Sequence, residues 1–274
     1  MIKITPKIAY TGKELLAPIK ISNLKLIATG TGRCGTVGIA KILSHAGIFC
    51  GHEAIFDCQG LEGAKERLAG IKPILLSEVS KLASVEEENL GMTWFKHEDP
   101  TATIEIVADS SYMAAPFLDQ IDNVKIVHVV REPIKVINSF VGGFNYFKKK
   151  TPIASKPYHD FIYSFFPELK EDMDPLSRAA LYYILWNTMI EEKSKNKEYL
   201  LYRIEDTGRN KLLKFAEAPQ SESDYKVPMP WGTCNHKWGL ENNEVIYDNY
   251  DCIPDTVIRS RLLKLRCKYY GKPV

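Results

Sequence analysis

The chain has 274 residues, of which 45% are hydrophobic, 26% charged and 11% aromatic; that composition excludes a disordered or low-complexity chain and can bury a full core. A net charge of +2 is too small to point to nucleic acid as the main partner. No run reaches the roughly 18–20 apolar residues of a membrane span, and the N-terminal MIKITPKIAYTGKELL has neither the apolar stretch nor the cleavage site of a signal peptide.

LKLIAT (24–29) is a short apolar run that reads as a strand, and TVGIAKILSHAG (36–47) follows with helical spacing and a closing glycine. GIFCG (47–51) is a candidate second strand and GLEGAKERLAGI (60–71) a helix, whereas 72–100 has no clear pattern. TIEIVAD (103–109) and VKIVHVV (124–130) are strand-like, and REPIKVINSF (131–140) starts a helix with proline in its first turn. SRAALYYILWNTMIEEKSKN (177–196) is the longest helix, YLLYRI (199–204) a last buried strand, and NKLLKFAE and DTVIRSRLLKLRCKYYG two further helices. Strands separated by helices imply an α/β domain, a parallel sheet with helices on both faces. No repeat or linker divides the chain, so residues 1–274 are expected to form one domain. The piece from Gly142 to Pro175 departs from the rhythm and is rich in Phe and Tyr. It is a candidate lid over an acceptor; the alternative is a helical subdomain with its own small core.

GTGRCG (30–35) satisfies the G-x-G-x-x-G pattern between a strand and a helix, and Glu53 lies about 20 residues on, where a dinucleotide fold places its acid. The same residues read as a Walker A loop from Gly30 to Thr36 with its lysine deleted. In either case loop amides and a helix N-terminus face an anion; the bland alternative is a glycine turn that only lets helix pack on strand. Two features tilt the choice. Arg33 puts a forked, permanent cation inside the loop. Arg131 leaves the carboxyl end of a strand, with Ser139 eight residues later on the next helix. Ligands of parallel sheets bind at the carboxyl ends of strands, so both segments are expected on one crevice. Two anion sites there suit a nucleotide with phosphates at both its 5′ and 3′ positions.

TGTGRCGT followed by VHVVREPIKVINSF resembles the sulfotransferases that use 3′-phosphoadenosine 5′-phosphosulfate (PAPS), whose motifs are a loop with [K/R]-[S/G]-G-T and a strand ending in R-[D/E]-P with a serine eight residues after the arginine. ADSSYMAAPFL, YLLYRIEDTGRNKLLKFAE, HKWG and YYGK extend the resemblance more weakly, from about Leu24 to Gly271. The loop arginine and the CGHE at 50–53 are most similar to the tyrosylprotein and bacterial small-molecule branches. The resemblance implies a P-loop NTPase-like sulfotransferase fold and a metal-independent enzyme that moves a sulfuryl group from PAPS to a hydroxyl or amine acceptor, leaving adenosine 3′,5′-bisphosphate (PAP). The acceptor is an unidentified small-molecule, sugar, lipid or peptide group. It implies that the loop from Gly32 through Arg33, Cys34, Gly35 and Thr36 to Val37 cradles the 5′-phosphosulfate, and that Arg131 and Ser139 hold the 3′-phosphate. Glu53 is the implied general base, with neighbouring His52 the competing one, and Lys237 a further nucleotide contact. Three departures stand out. Cys34 replaces the loop serine, Gly143 an arginine that some members carry, and Ile204 a tyrosine, so the adenine contact must come from elsewhere, with Tyr202 on the same strand face as the candidate.

Sulfuryl transfer, like phosphoryl transfer, relies on positioning and electrostatics, and a base at the acceptor contributes about 10²–10⁴-fold. The competing readings are a P-loop kinase or NTPase, a nicotinamide-dependent oxidoreductase, and a non-catalytic nucleotide-binding protein of the same fold. Other residues have simpler explanations. His128 lies inside an apolar strand and reads as a core histidine, and Asp109-Ser110-Ser111 resembles a Walker B end but is equally explained by helix capping. The six cysteines show no metal-ligand spacing, so reduced thiols and a cytoplasmic location are expected.

Overall fold

The computed structural model describes residues 2–4, 19–70, 104–144, 147, 156–219 and 247–271. Among the described residues six strands form one sheet: β1 (Ile2–Ile4), β2 (Ile19–Gly30), β3 (Cys50–His52), β4 (Ile104–Ser110), β5 (Lys125–Val130) and β6 (Tyr199–Arg203). The order β3-β4-β2-β5-β6 is parallel throughout, and β1 adds to β2 as an antiparallel strand. The expected α/β class with a parallel sheet is therefore the fold. Strand β2 is longer than its apolar run predicts, because its first half pairs with β1 and β4. The ambiguous 72–100 stretch and Lys237 lie outside the described residues.

Side chains alternate across the sheet as the two-residue strand period requires. Leu26 and Ala28 of β2, Val127 and Val129 of β5, and Leu200 and Tyr202 of β6 face one apolar layer; Ile27 and Ile126 face the other. The first layer is closed by α1 (Thr36–His45) and α6 (Arg209–Phe215) through Ile39, Ile42, Leu43, Leu212 and Leu213. The second is closed by α2 (Gly60–Leu68), a 3₁₀ segment (Tyr112–Gln120), α3 (Pro133–Asn138), α4 (Lys156–Phe165), α5 (Pro175–Lys193) and α7 (Thr256–Tyr270). Each fully buried Ile or Leu contributes roughly 1.5–3 kcal/mol, which is why a sheet apolar on both faces must be covered on both.

Local chemistry starts and stops these helices. Asp174 accepts the Ser177 N–H ahead of a proline to open α5, and Asp255 accepts the Val257 and Ile258 N–H groups to open α7. Gly271, left-handed at φ 67°, closes α7. From Ser139 the helix α3 widens into a π segment, Ser139–Phe144, a geometry that recurs at functional sites. The described aromatic residues between Gly142 and Pro175 pack inward: Phe147 is fully buried against Phe140 and Tyr182, Phe161 lies against Trp186 and Phe165, and Phe166 edges onto Trp186. They join the main core instead of forming one of their own.

Chain direction defines the crevice. The connection after β2 leads through α1 to β3 on one side, and the connection after β5 leads to β6 on the other. Adjacent strands whose exits diverge leave a cleft at their carboxyl ends. Here those ends carry residues 31–35 and residues 131–132.

Candidate functional site

The loop after β2 is shaped by close approach. Gly30 pairs beside Val129, and a Cβ at Gly30 would lie 2.1 Å from the Val129 carbonyl oxygen and 2.5 Å from Cys34 Sγ. Arg33 takes up a left-handed φ of 70° and Gly35 a φ of 106° before Thr36 opens α1. For arginine that backbone costs about 1–2 kcal/mol, so the loop spends stability to present this side chain. The first N–H groups of α1 have no carbonyl one turn back, and its first turn contains no acidic residue, so the helix itself puts no carboxylate at the positive end of its dipole.

Not every loop group faces outward. The Gly32 N–H donates to Tyr182 Oη (3.2 Å) and the Cys34 N–H to the Thr31 carbonyl (3.3 Å). Cys34 is fully buried in the layer under α1, and burial pushes its thiol up to about 12. A serine hydroxyl at this position would enter the apolar layer, so the cysteine fits the side chain's direction. Val37 and Gly35 are half-buried at the surface of the loop.

The second motif meets this loop. Arg33 Nε donates to Ser139 Oγ (2.9 Å), and Arg131 Nη1 donates to the Arg33 carbonyl (3.2 Å). Residues 106 and 98 positions apart are thus joined in one half-buried cluster. The turn that carries Arg131 is held from several sides. Its carbonyl accepts from Tyr183 Oη (2.9 Å), and the next N–H, of Glu132, donates to Glu205 Oε1 (2.8 Å). Glu132 Oε1 in turn accepts from Arg266 Nε (2.6 Å) and from the Tyr250 hydroxyl. The C-terminal helix α7 therefore braces the turn, and Arg131 is presented with little conformational freedom left to lose.

On the other side of the loop stand the two candidate bases. His52, at the end of β3, is 7% exposed and its Nε2 lies 3.2 Å from Thr36 Oγ1. The Glu53 carboxylate lies 3.9 Å from the same nitrogen and has a side chain 13% exposed. Glu53 is left-handed, at φ 53°. Its N–H donates to the Ser110 carbonyl (3.2 Å), and the next three N–H groups, of Ala54, Ile55 and Phe56, donate to the Asp109 carboxylate at 3.2, 3.3 and 3.0 Å. Burial pushes Asp109 up to about 6 against those three donated hydrogen bonds.

Of the residues singled out in the sequence, Gly32, Arg33, Cys34, Gly35, Thr36, Val37, Arg131, Ser139, His52 and Glu53 all belong to this one end of the sheet. Tyr202 does not. It is fully buried between the sheet and α1 with α6, so its ring has no face to offer a base, and the adenine contact expected of it is withdrawn. His128 is the core residue it reads as: Tyr199 Oη meets Nδ1 (2.6 Å), Asn187 Oδ1 meets Nε2 (2.7 Å), and burial lowers its pKa to about 4. The carboxamide oxygen can only accept, so Nε2 carries the proton and Nδ1 accepts from the tyrosine. Tyr182 and Tyr183 were invisible as site residues because both fall on the apolar stripe of α5. Asp109 reads in the sequence as a Walker B end or a helix cap and not as the anchor of the Glu53 loop, because its partners are backbone amides, which no side-chain pattern records.

A scan against models of protein families finds none that matches this chain, and a search of curated proteins finds no relative. Among the described residues no helix is long and apolar enough to cross a membrane.

Proposed function

We propose that the protein is a sulfotransferase that moves a sulfuryl group from PAPS to a hydroxyl or amine acceptor. The observation that carries this reading is the joining of Arg33, Arg131 and Ser139 at the mouth between β2 and β5. A nucleotide with a single phosphate chain does not require a second arginine and serine beside the first anion loop. One phosphorylated at 3′ as well as 5′ does. The P-loop-like sulfotransferase variant of the α/β fold belongs to the same proposal, supported by the strand order and by the loop between β2 and α1.

In this reading the 5′-phosphosulfate lies against the N-terminus of α1 with Arg33 reaching its oxygens, while Arg131 and Ser139 take the 3′-phosphate. Placing those charges would loosen the Arg33–Ser139 bond and replace it by charge-assisted bonds to the ligand, which are about twice as strong. The acceptor oxygen attacks sulfur in line, the bond from sulfur to the bridging phosphate oxygen breaks, and PAP leaves. Glu53 takes the acceptor's proton. It is favoured over His52 on the resemblance of CGHE to the sulfotransferases, and the His52 ring is engaged with Thr36. Arg33 and the helix dipole stabilise the charge that spreads over the equatorial oxygens without a metal ion. The aromatic stretch 142–175 is proposed to border the acceptor site.

The test is conversion of PAPS to PAP in the presence of phenolic, sugar, sterol and tyrosyl-peptide acceptors, followed by mass spectrometry. The expected result is a sulfated product whose formation falls by about 10²–10⁴-fold in Glu53→Ala, with PAP affinity retained. No product from any acceptor, together with no affinity for PAP, would overturn the reading.

A further inference from the structure

Asp109, Ser110 and Ser111, at the end of β4 and just beyond it, are each fully buried, so they cannot touch a nucleotide, and the transfer chemistry gives them no part. Their bonds nevertheless go to both halves of the site. Asp109 accepts the N–H groups of Ala54, Ile55 and Phe56. Ser111 Oγ donates to the Phe56 carbonyl (2.8 Å), and the Ser110 carbonyl accepts the Glu53 N–H (3.2 Å). In the other direction, Ser110 Oγ donates to the carbonyl of Thr36 (2.8 Å), the first residue of α1. One short segment thus grips the loop that carries Glu53 and the helix that ends the anion loop.

The grip is unusually complete for a segment outside helix and strand. Four consecutive N–H groups, 53 to 56, are satisfied from the end of β4, and Arg67, itself buried, donates to the Ile55 carbonyl (2.9 Å) and pairs with Asp57 (2.5 Å). A Cβ on Gly51 would lie 3.0 Å from Asp109 Oδ1 and 2.6 Å from Ala54 Cβ, so the middle residue of β3 is glycine where the carboxylate comes through. Burying a carboxylate is costly even when it is well bonded, and a left-handed glutamate adds about 1–2 kcal/mol. Both costs fall where the chain fixes the position of Glu53, and the four donated N–H bonds offset them.

We propose that Asp109, Ser110 and Ser111 are positioning residues that hold the Glu53 carboxylate at a set distance from the first turn of α1. The proposal rests on reading Glu53 as the base and the 30–36 loop as the donor site. Geometry of this kind is worth defending, since misplacement by about 1 Å can cost about 10²-fold in rate.

The test uses the full chain, with Asp109→Asn and Ser110→Ala, at a pH where Asp109 is charged, above about 6. Asp109→Asn keeps the shape and one acceptor oxygen but turns N–H donors towards backbone donors. Hydrogen exchange is expected to accelerate at Ala54, Ile55 and Phe56 by about tenfold or more relative to β5. The ¹³C resonance of the Glu53 carboxyl is expected to shift when PAP is added to the wild type and to lose that response in Asp109→Asn, while PAP affinity stays within about twofold, since the donor contacts themselves are intact. Ser110→Ala weakens the same response and leaves exchange at 54–56 unchanged. Acceleration spread equally over the sheet, no acceleration at all, or a Glu53 response that persists in both variants would each overturn the positioning role. A wild-type protein that does not bind PAP overturns the donor reading instead, and the exchange contrast distinguishes that result from failure of the grip.

Discussion

Replacing Arg33 by glycine separates what the loop needs to fold from what it needs to bind. Arg33 is left-handed, at φ 70°, which costs an L-residue about 1–2 kcal/mol. Glycine removes that cost but adds about 0.5–1 kcal/mol of backbone entropy lost on folding. The half-buried Arg33–Ser139 bond at 2.9 Å, worth about 0.5–1.5 kcal/mol, is also lost. These contributions nearly cancel, so Arg33→Gly is expected to melt within about 4 °C of the wild type. Arg33→Ala keeps the left-handed cost and should be less stable than Arg33→Gly by about 1 kcal/mol. Binding responds differently. Losing a hydrogen bond to a charged phosphate costs about 1.5–3 kcal/mol, so both variants should bind PAP about 10- to 150-fold more weakly by calorimetric titration. An Arg33→Gly protein no more stable than Arg33→Ala would show that the backbone here is not left-handed. Wild-type affinity in either variant would refute Arg33 as a phosphate ligand.

The remaining expectations concern the packing that shapes the site. The His128 ring, with its pKa lowered to about 4 by burial, should show no titration above about pH 5 by NMR. Its unfolded value is near 6.5, so the unfolded chain binds the proton first as pH falls. The stability this histidine contributes is complete above about pH 6.5 and lost towards pH 4, by roughly 3 kcal/mol in denaturant unfolding. Gly30→Ala forces a methyl to 2.1 Å from the Val129 carbonyl oxygen and should destabilise by about 1–3 kcal/mol or more, whereas Gly208→Ala, with nothing within 4 Å, serves as the control for crowding. The Cys34 thiol, fully buried and pushed up to about 12, should resist alkylation in the native protein. Cys34→Ser should lower the melting temperature, because a hydroxyl transferred into an apolar layer costs about 1–3 kcal/mol, and should not tighten PAP binding.

How far the sequence reveals this molecule depends on the range of the interaction. Strands β2, β4, β5 and β6 are legible because two buried faces demand apolar runs, and α1 because Ile39, Ile42, Leu43 and Ala46 recur on one side and Gly47 stops it. The pair Arg131 and Ser139 is legible as spacing along one strand and helix. What the spacing does not contain is the bond from Arg33 across 106 residues to Ser139, or from Gly32 across 150 to Tyr182. Those partners are fixed by sheet order, which local periodicity does not encode. The left-handed backbone at Glu53 is equally silent, since glutamate is not a residue that advertises positive φ. Asp109 reads as a cap because Asp and Ser before a helix usually cap it. Ser111 does cap the 3₁₀ segment, accepting the Met113 N–H, while Asp109 turns to a neighbouring loop. Tyr202 misleads for the opposite reason: strand alternation places it correctly on a face, but that face is covered by α1 and α6.

The most direct test of the central claim is a thermal-shift panel with PAP, ADP, ATP and NAD, each with Mg²⁺ and with EDTA. A ligand at a hundred times its dissociation constant stabilises the fold by about 2.7 kcal/mol, roughly 5–10 °C for a chain of this size. PAP is expected to give a shift far larger than ADP does, unchanged by EDTA and lost in Arg131→Ala. A shift with ATP that requires Mg²⁺, or with NAD in place of PAP, would contradict that claim.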